Sequence, residues 1–156
     1  FSLPLEDSTK VKQFLFQRDG AYGNNHHLFR WKRIMQVRDI QKAFEGSDYK
    51  IGQPQKIRVL ERGISGRVLS LEIVDDNEQS TIILKLDQIR RNLRNLPSTL
   101  FYVKEIKKGV WEFVGGGFGH GVGMSQAGAI DLAHRGWTTR KILNHYYPGT
   151  TYETFQ

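Results

Sequence analysis

Six of the twelve residues from Gly115 to Gln126 are glycine, in the run Gly115-Gly116-Gly117-Phe118-Gly119-His120-Gly121-Val122-Gly123-Met124-Ser125-Gln126. Such density belongs to a loop whose backbone takes positive φ and lets a ligand approach its N–H groups closely. The loop follows a predicted strand, Val110 to Val114, and precedes a predicted helix, Ser125 to Arg135. That helix draws on Ala127, Ala129, Ile130, Leu132 and Ala133 for its contacts, with Gly136 as its C-cap. Its first turn adds free amides and a positive dipole end where an anion or a sugar oxygen can sit. A nucleotide loop is excluded. Gly117-Phe118-Gly119-His120-Gly121 is not followed by the dinucleotide glycine spacing, and no Gly-Lys-Ser/Thr grips phosphates.

The rest of the chain supplies the elements this loop connects. Val37 to Phe44 places Val37, Ile40 and Phe44 at helical spacing, closed by Gly46-Ser47-Asp48. Lys56 to Glu61 alternates weakly. Val68 to Val74 makes a stronger strand, Asp75-Asp76-Asn77-Glu78 turns the chain, and Thr81 to Leu84 returns as its hairpin partner. Asp87 to Asn95 reads as a short basic helix ended by Pro97. Leu100 to Ile106 and Val110 to Val114 form a second hairpin around Lys107-Lys108-Gly109. Thr138 caps a last helix that runs to Tyr147, where Pro148-Gly149 stops it. The expectation is an α+β fold: antiparallel strands and hairpins, then a Gly-rich loop and two C-terminal helices. Residues 1–27 read as an irregular lead-in with little core of its own, and residues 28–156 as the folded part.

A chain of 156 residues is one domain's worth. It has no cysteine, which excludes disulfides and thiolate zinc sites. No apolar run reaches the roughly 20 residues of a membrane span. Phe1 is not an initiator Met, and Glu6 and Asp7 rule out a signal peptide, so the N-terminus reads as processed, trimmed or cut away. The net charge of +7 suggests either a polyanionic partner or a solvated basic surface. Basic residues cluster at Arg30-Trp31-Lys32-Arg33, at Arg90-Arg91 with Arg94, and at Lys104, Lys107 and Lys108. No nucleic-acid-binding signature accompanies them, so a charge-driven nucleic-acid binder is the weakest reading and no specific nucleic acid is expected.

His120 is the only titratable side chain in the loop. It either hydrogen-bonds a sugar hydroxyl or orients an acid, or it ties the loop down through backbone carbonyls. Ser125 and Gln126 are natural N-cap and first-turn residues, and Gln126 also has an amide to present to a saccharide. Glu61, Glu72, Glu105, Glu112 and Asp131 read as solvated or ion-paired surface groups, and none is nominated as a catalytic acid. His120, His134 and His145 match no compact zinc spacing, and the adjacent His26 and His27 cannot easily share one ion, so no metal is expected.

The run Gly119 to Gln126, followed by Gly128-Ala129, Ala133, Gly136, Ile142-Leu143 and His145-Tyr146-Tyr147-Pro148-Gly149-Thr150, resembles the C-terminal signature of the stage II sporulation protein D (SpoIID) family. That family includes the amidase enhancer LytB. Phe29-Arg30-Trp31, Ser65-Gly66-Arg67, Ile89-Arg90 and Leu96-Pro97-Ser98-Thr99-Leu100-Phe101 also look like its pattern, so the resemblance covers roughly residues 28–152. Gly116 and Phe118 stand where the family usually has Arg and Trp, and Ala127 replaces a usual Trp. The resemblance implies a peptidoglycan lytic transglycosylase, which cleaves MurNAc–GlcNAc bonds of glycan strands without peptide stems and leaves 1,6-anhydro ends. In that family the acid is a Glu in an N-terminal Glu-Met-Pro segment. Neither Met35 nor Met124 lies in one, so the catalytic residue is unknown and the chain reads as the C-terminal, groove-forming part. Gly119, His120, Gly121, Ser125 and Gln126 are the substrate-binding candidates. The resemblance implies no cofactor and an extracytoplasmic, cell-envelope location, reached by export or through an anchoring segment outside this chain. The partners it implies are peptidoglycan glycan strands, together with a missing N-terminal segment or a cell-wall amidase. The alternative is a non-catalytic wall-binding or amidase-enhancer protein.

Overall fold

Ile73 of one strand and Ile82 and Leu84 of the next alternate with half-buried or exposed neighbours, and that period of two builds the hairpin at the centre of the fold. In the computed structural model, which describes residues 4–76, 81–93 and 96–153, this hairpin is β3 (Val68–Asp75) and β4 (Thr81–Lys85). β2 (Pro54–Arg62) pairs antiparallel on the other side of β3, giving the order β2-β3-β4. Register shifts at Pro54/Lys56 and between Val59 and Arg62 explain why β2 alternates so weakly in sequence.

A second antiparallel sheet has the order β1-β6-β5, from β1 (Trp31–Gln36), β5 (Phe101–Lys107) and β6 (Val110–Gly115). Its inner face presents Trp31, Met35, Phe101, Trp111 and Phe113 to Leu71, Ile73 and Leu84 of the first sheet. α2 (Val37–Phe44) adds Ile40 and Phe44 to this core, and α3 (Asp87–Asn92) adds Ile89. On the outer face, Glu112 of β6 is buried between Lys32 of β1 and Lys104 of β5, 2.8 Å from the latter's Nζ. α4 (Gln126–His134) and α5 (Thr139–Tyr146) follow the glycine loop, capped by Ser125 and Thr138. The α+β architecture expected from the sequence is the one observed.

Two segments depart from expectation. Residues 8–16 are not irregular: α1 (Ser8–Phe16) starts at the Asp7 carboxylate, which accepts from the Thr9 and Lys10 amides. Val11 and Leu15, one turn apart, are buried with Leu5 and Tyr102 in a second apolar cluster on the outer face of β5. The lead-in therefore contributes Leu5, Val11 and Leu15 to a cluster it shares with β5, and the partly buried Phe14 packs against it. β1 was also not anticipated, because Lys32 and Arg33 interrupt its apolar alternation; the cross-strand carboxylate of Glu112 is what accommodates Lys32. The basic helix is shorter than expected, ending at Asn92. Residues 94 and 95, and 77 and 78 of the expected turn, lie outside the described residues.

Asp75, at the end of β3, holds the chain entering β2. Its buried carboxylate accepts from the amides of Gly52 (2.6 Å), Gln53 (2.5 Å) and Asp76 (2.8 Å). Burial alone would push this carboxyl up, but the hydrogen bonds from Gly52, Asp76 and Gln53 outweigh it and hold it below its ordinary 3.8. Asp75→Ala leaves the Gly52 and Gln53 amides unpaired and is expected to cost about 2–3 kcal/mol in urea unfolding at pH 7. Because the folded value is depressed, the contribution of Asp75 is complete above 3.8 and fades as pH falls through that lower value. The gap between wild type and variant should therefore narrow on acidification. A gap that widens below pH 4 would contradict this assignment.

Candidate glycan-binding cleft

Past the end of β6, the glycine block is gripped from both sides. Gly116 N donates to Leu100 O (2.9 Å), Gly117 N to Phe29 O (3.2 Å) and Gly119 N to Pro97 O (3.0 Å). The buried Ser98 hydroxyl donates to Gly116 O at 2.7 Å, and Ser98 and Gly119 form a parallel bridge. The Trp31 indole N–H donates to Gly117 O at 3.0 Å, and its ring occupies the space a side chain at Gly115 would need. Phe29-Arg30-Trp31 and Leu96 to Phe101 are distant in sequence, yet they form the two banks that carry the loop.

Beyond Gly116, left-handed glycines alternate with side chains. Gly117, Gly119, Gly121 and Gly123 have φ of +77°, +106°, +79° and +96°, while Phe118, His120 and Val122 between them are exposed. Helix α4 then begins. Ser125 Oγ accepts from Gly128 N at 3.2 Å, and Gln126 is the first helical residue. Loop, helix start and the segment 22–30 enclose a cleft of about 530 Å³. Gly119, His120, Gly121, Ser125 and Gln126 all lie on its wall. His120 Nδ1 accepts from Val122 N at 3.0 Å, so the neutral ring carries its proton on Nε2. The ring therefore steadies the loop through an amide rather than a carbonyl, with Nε2–H left to donate.

The far bank comes from segments that sequence reasoning did not assign to the site. Gly23 packs against the backbone of Ala127 and Gly128, and its N–H donates to Asp131 at 3.1 Å. Tyr22 meets Trp137 and His145 edge-on at 6.1 and 5.6 Å. Met124 N donates to the Tyr147 hydroxyl at 3.0 Å, and Gly128 leaves room for the Tyr146 hydroxyl. His145 is thus held in an aromatic cluster and His134 sits at the end of α4. Among the described residues no group of three His, Cys, Asp or Glu is placed to hold a metal.

The cleft wall includes two arginines and, among the described residues, no Asp or Glu. Arg30 is committed. Its guanidinium donates to Leu15 O (2.7 Å), Phe29 O (2.8 Å), Phe14 O (3.2 Å) and Gln17 O (2.5 Å), tying the C-terminus of α1 to β1. Arg67 reaches the wall from the tight turn before β3, and its guanidinium lies where a Cβ on Gly121 would stand. The sequence signal for it was Ser65-Gly66-Arg67, with Gly66 at φ +79° pressed against Val11 and Leu5. The carboxylates set aside in the sequence are elsewhere. Glu72 pairs with Arg58 at 2.9 Å, Asp131 with Arg135 at 3.1 Å, and Glu105 accepts from Gly109 N at 2.9 Å. Lys104 and Lys32 hold the Glu112 carboxyl below the usual range.

A family described as "Domain of unknown function (DUF8618)" matches residues 2–123. The "Amidase enhancer" of Bacillus subtilis (strain 168) is 51% identical over 41 residues, which is 26% of this chain and 6% of that protein. The "Stage II sporulation protein D" of the same strain is 59% identical over 34 residues, 22% of this chain and 10% of the relative. Its namesake in Bacillus amyloliquefaciens is 58% identical over 33 residues, 21% of this chain and 10% of that one. The resemblance to the SpoIID and amidase-enhancer proteins is shown, and it is local, spanning a tenth or less of each relative's length.

Two alanine substitutions separate the requirements of the loop. Gly117→Ala meets no atom and is expected to cost about 1–2 kcal/mol through φ alone. Gly121→Ala carries the same backbone cost and also displaces the Arg67 guanidinium, so its urea midpoint should be lower. Equal midpoints would show that Arg67 does not pack against Gly121.

Proposed function

The chain belongs to the family described as "Domain of unknown function (DUF8618)", and we propose that it supplies the glycan-binding wall of a bacterial cell-envelope module. In this reading a peptidoglycan glycan strand lies in the cleft beside Gly119 to Gln126. One observation carries it. The Nε2–H of His120 and the Gln126 amide share a wall with exposed aromatic and apolar side chains, Phe118 and Val122. Sugars present hydroxyls along their edges and apolar ring faces, and this wall offers partners for both. The stretches shared with a sporulation protein and an amidase enhancer support the cell-wall setting.

Binding, rather than cleavage by this wall, is the reading the cleft supports. Cutting a MurNAc–GlcNAc bond needs a carboxyl group that first protonates the glycosidic oxygen and then takes up the C6 hydroxyl proton. The described cleft wall contains no carboxyl group. A lytic transglycosylase built on this wall takes its acid from outside it, and an amidase enhancer built on it holds the strand for a partner amidase. The site then works on the outer side of the membrane, where the glycan is; no described helix is long and apolar enough to cross one.

Sedimentation of the purified chain with purified sacculi tests the binding. His120→Asn keeps an acceptor for Val122 N but ends its own N–H donors short of the Nε2 position, so it should lower the bound fraction several-fold with little change in thermal midpoint. Mass spectrometry of the same sacculi should show no 1,6-anhydro muropeptides. No sedimentation with sacculi, or undiminished binding by the variant, would remove the proposal. Anhydro products would place the acid among the carboxylates of this chain.

A further inference from the structure

We infer that the outer face of the β1-β6-β5 sheet, with the adjoining flank of α1, docks onto a bilayer surface rich in anionic lipid headgroups. The inference does not depend on the glycan reading. None of the residues that carry it lines the cleft, so the two can be tested apart.

α1 covers this face at one end only. Val11 and Leu15 pack with Tyr102, and Phe14 on one side of them reaches the cleft wall. Lys12 and Phe16, one helical turn apart, occupy the opposite flank. Lys12 Nζ stands 5.3 Å over the Tyr102 ring, and Phe16 is 79% exposed. Beyond α1 the sheet is uncovered. Ile34 of β1, Glu112 of β6 and Lys104 of β5 form one cross-strand row, in which Ile34 is 53% exposed. Lys107 pairs with Val110 after a register shift that takes in Ile106, itself 45% exposed, and Lys108 follows in the turn.

Single exposed apolar residues are ordinary, but Phe16, Ile34 and Ile106 are set among the exposed Lys12, Lys32, Lys104, Lys107 and Lys108. The carboxylate between them, Glu112, is buried and shared by Lys32 and Lys104, so that trio keeps a net positive charge. At the margin, Glu105 and Asp39 accept from Gly109 N (2.9 Å) and Gln36 N (2.8 Å). Apolar tips in a basic surround complement an anionic interface.

A second copy of the chain does not suit this face. A two-fold contact would set the same lysines against each other, in a chain of net charge +7. An acidic protein suits it less well than lipid. The cations are all lysines; Arg33, by alternation, sides with Trp31 and Met35. The planar fork of arginine matches a fixed carboxylate or phosphate, whereas lysine is a point charge on a flexible stem. Such stems follow mobile headgroups while Phe16, Ile34 and Ile106 enter the boundary beneath.

Flotation of the whole chain with vesicles is the test, using phosphatidylcholine alone and an equal mixture of phosphatidylcholine with phosphatidylglycerol. Wild type is expected to bind the mixed vesicles about tenfold more tightly or better, with the preference shrinking as salt is raised. Lys107→Gln with Lys108→Gln should weaken that binding about tenfold or more. Lys56→Gln with Lys85→Gln removes the same charge from exposed positions of the other sheet and should leave binding unchanged. Phe16→Ser with Ile34→Ser should weaken it again, and a thermal melt confirms that each variant folds. Equal binding of wild type to both kinds of vesicle, or to neither, overturns the inference without any variant. A loss in the Lys56 and Lys85 pair as large as in the Lys107 and Lys108 pair overturns it too. If Phe16→Ser with Ile34→Ser binds like wild type the inference also falls, and competition by soluble polyglutamate would then assign the face to an acidic polymer.

Discussion

The seat of the Trp31 indole on Gly115 is the contact on which the rest of the molecule depends. The ring fills the space a side chain at Gly115 would need, sits 6.2 Å from Phe101, and sends its N–H to Gly117 O. One side chain thereby joins edge strand β1, central strand β6, strand β5 and the first turn of the loop. A large apolar ring with a single polar handle suits such a junction, because burial and one directed hydrogen bond are satisfied together. The glycines after it then follow a path laid down by Phe29 O, Pro97 O and Leu100 O, and the cleft opens where that path leaves the sheet.

Charge is distributed in a way its total does not reveal. The basic run Arg30-Trp31-Lys32-Arg33 has the look of a polyanion-binding patch, yet three of its four members are spent within the fold, and only Arg33 is left exposed with no ion pair among the described residues. Arg30 closes α1, Trp31 is buried in the core, and Lys32 neutralises Glu112. Arg90 and Arg91 share Asp87, and Arg135 holds Asp131, which in turn holds Gly23. Most of these pairs are exposed and contribute little stability individually. Their effect is to leave one cation without an internal partner at the cleft, Arg67, a residue that belongs to no basic cluster.

The helical pair α4 and α5 is attached through polar and aromatic contacts more than through the main core. Leu132 and Ile142 are its buried aliphatic residues, and neither joins the cluster between the sheets. Tyr22, Gly23 and Met124 bind it to the rest, two of them on the wall of the cleft opposite the loop. The cleft is therefore bounded by elements fastened in different ways. One bank is anchored in a sheet, the other on hydrogen bonds and edge-to-face rings.

The sequence by itself determined whatever depends on near neighbours along the chain. The β3–β4 and β5–β6 hairpins, α2 between Val37 and Phe44, the Ser125 and Thr138 caps and the left-handed run Gly117 to Gly123 are encoded by alternation, helical spacing, capping oxygens and the absence of Cβ atoms. Each is satisfied within a few residues. Gly119, His120, Gly121, Ser125 and Gln126 were singled out for the same local reason. Long-range packing is what buries Val11 and Leu15 of α1 beneath Tyr102, and what lets Lys32 sit in strand β1, paired diagonally with Glu112 of β6. It alone brought Arg67 beneath Gly121. Those facts are set by partners that are distant in the chain, and hydrophobic burial and charge pairing assign such partners only once the sheets have formed.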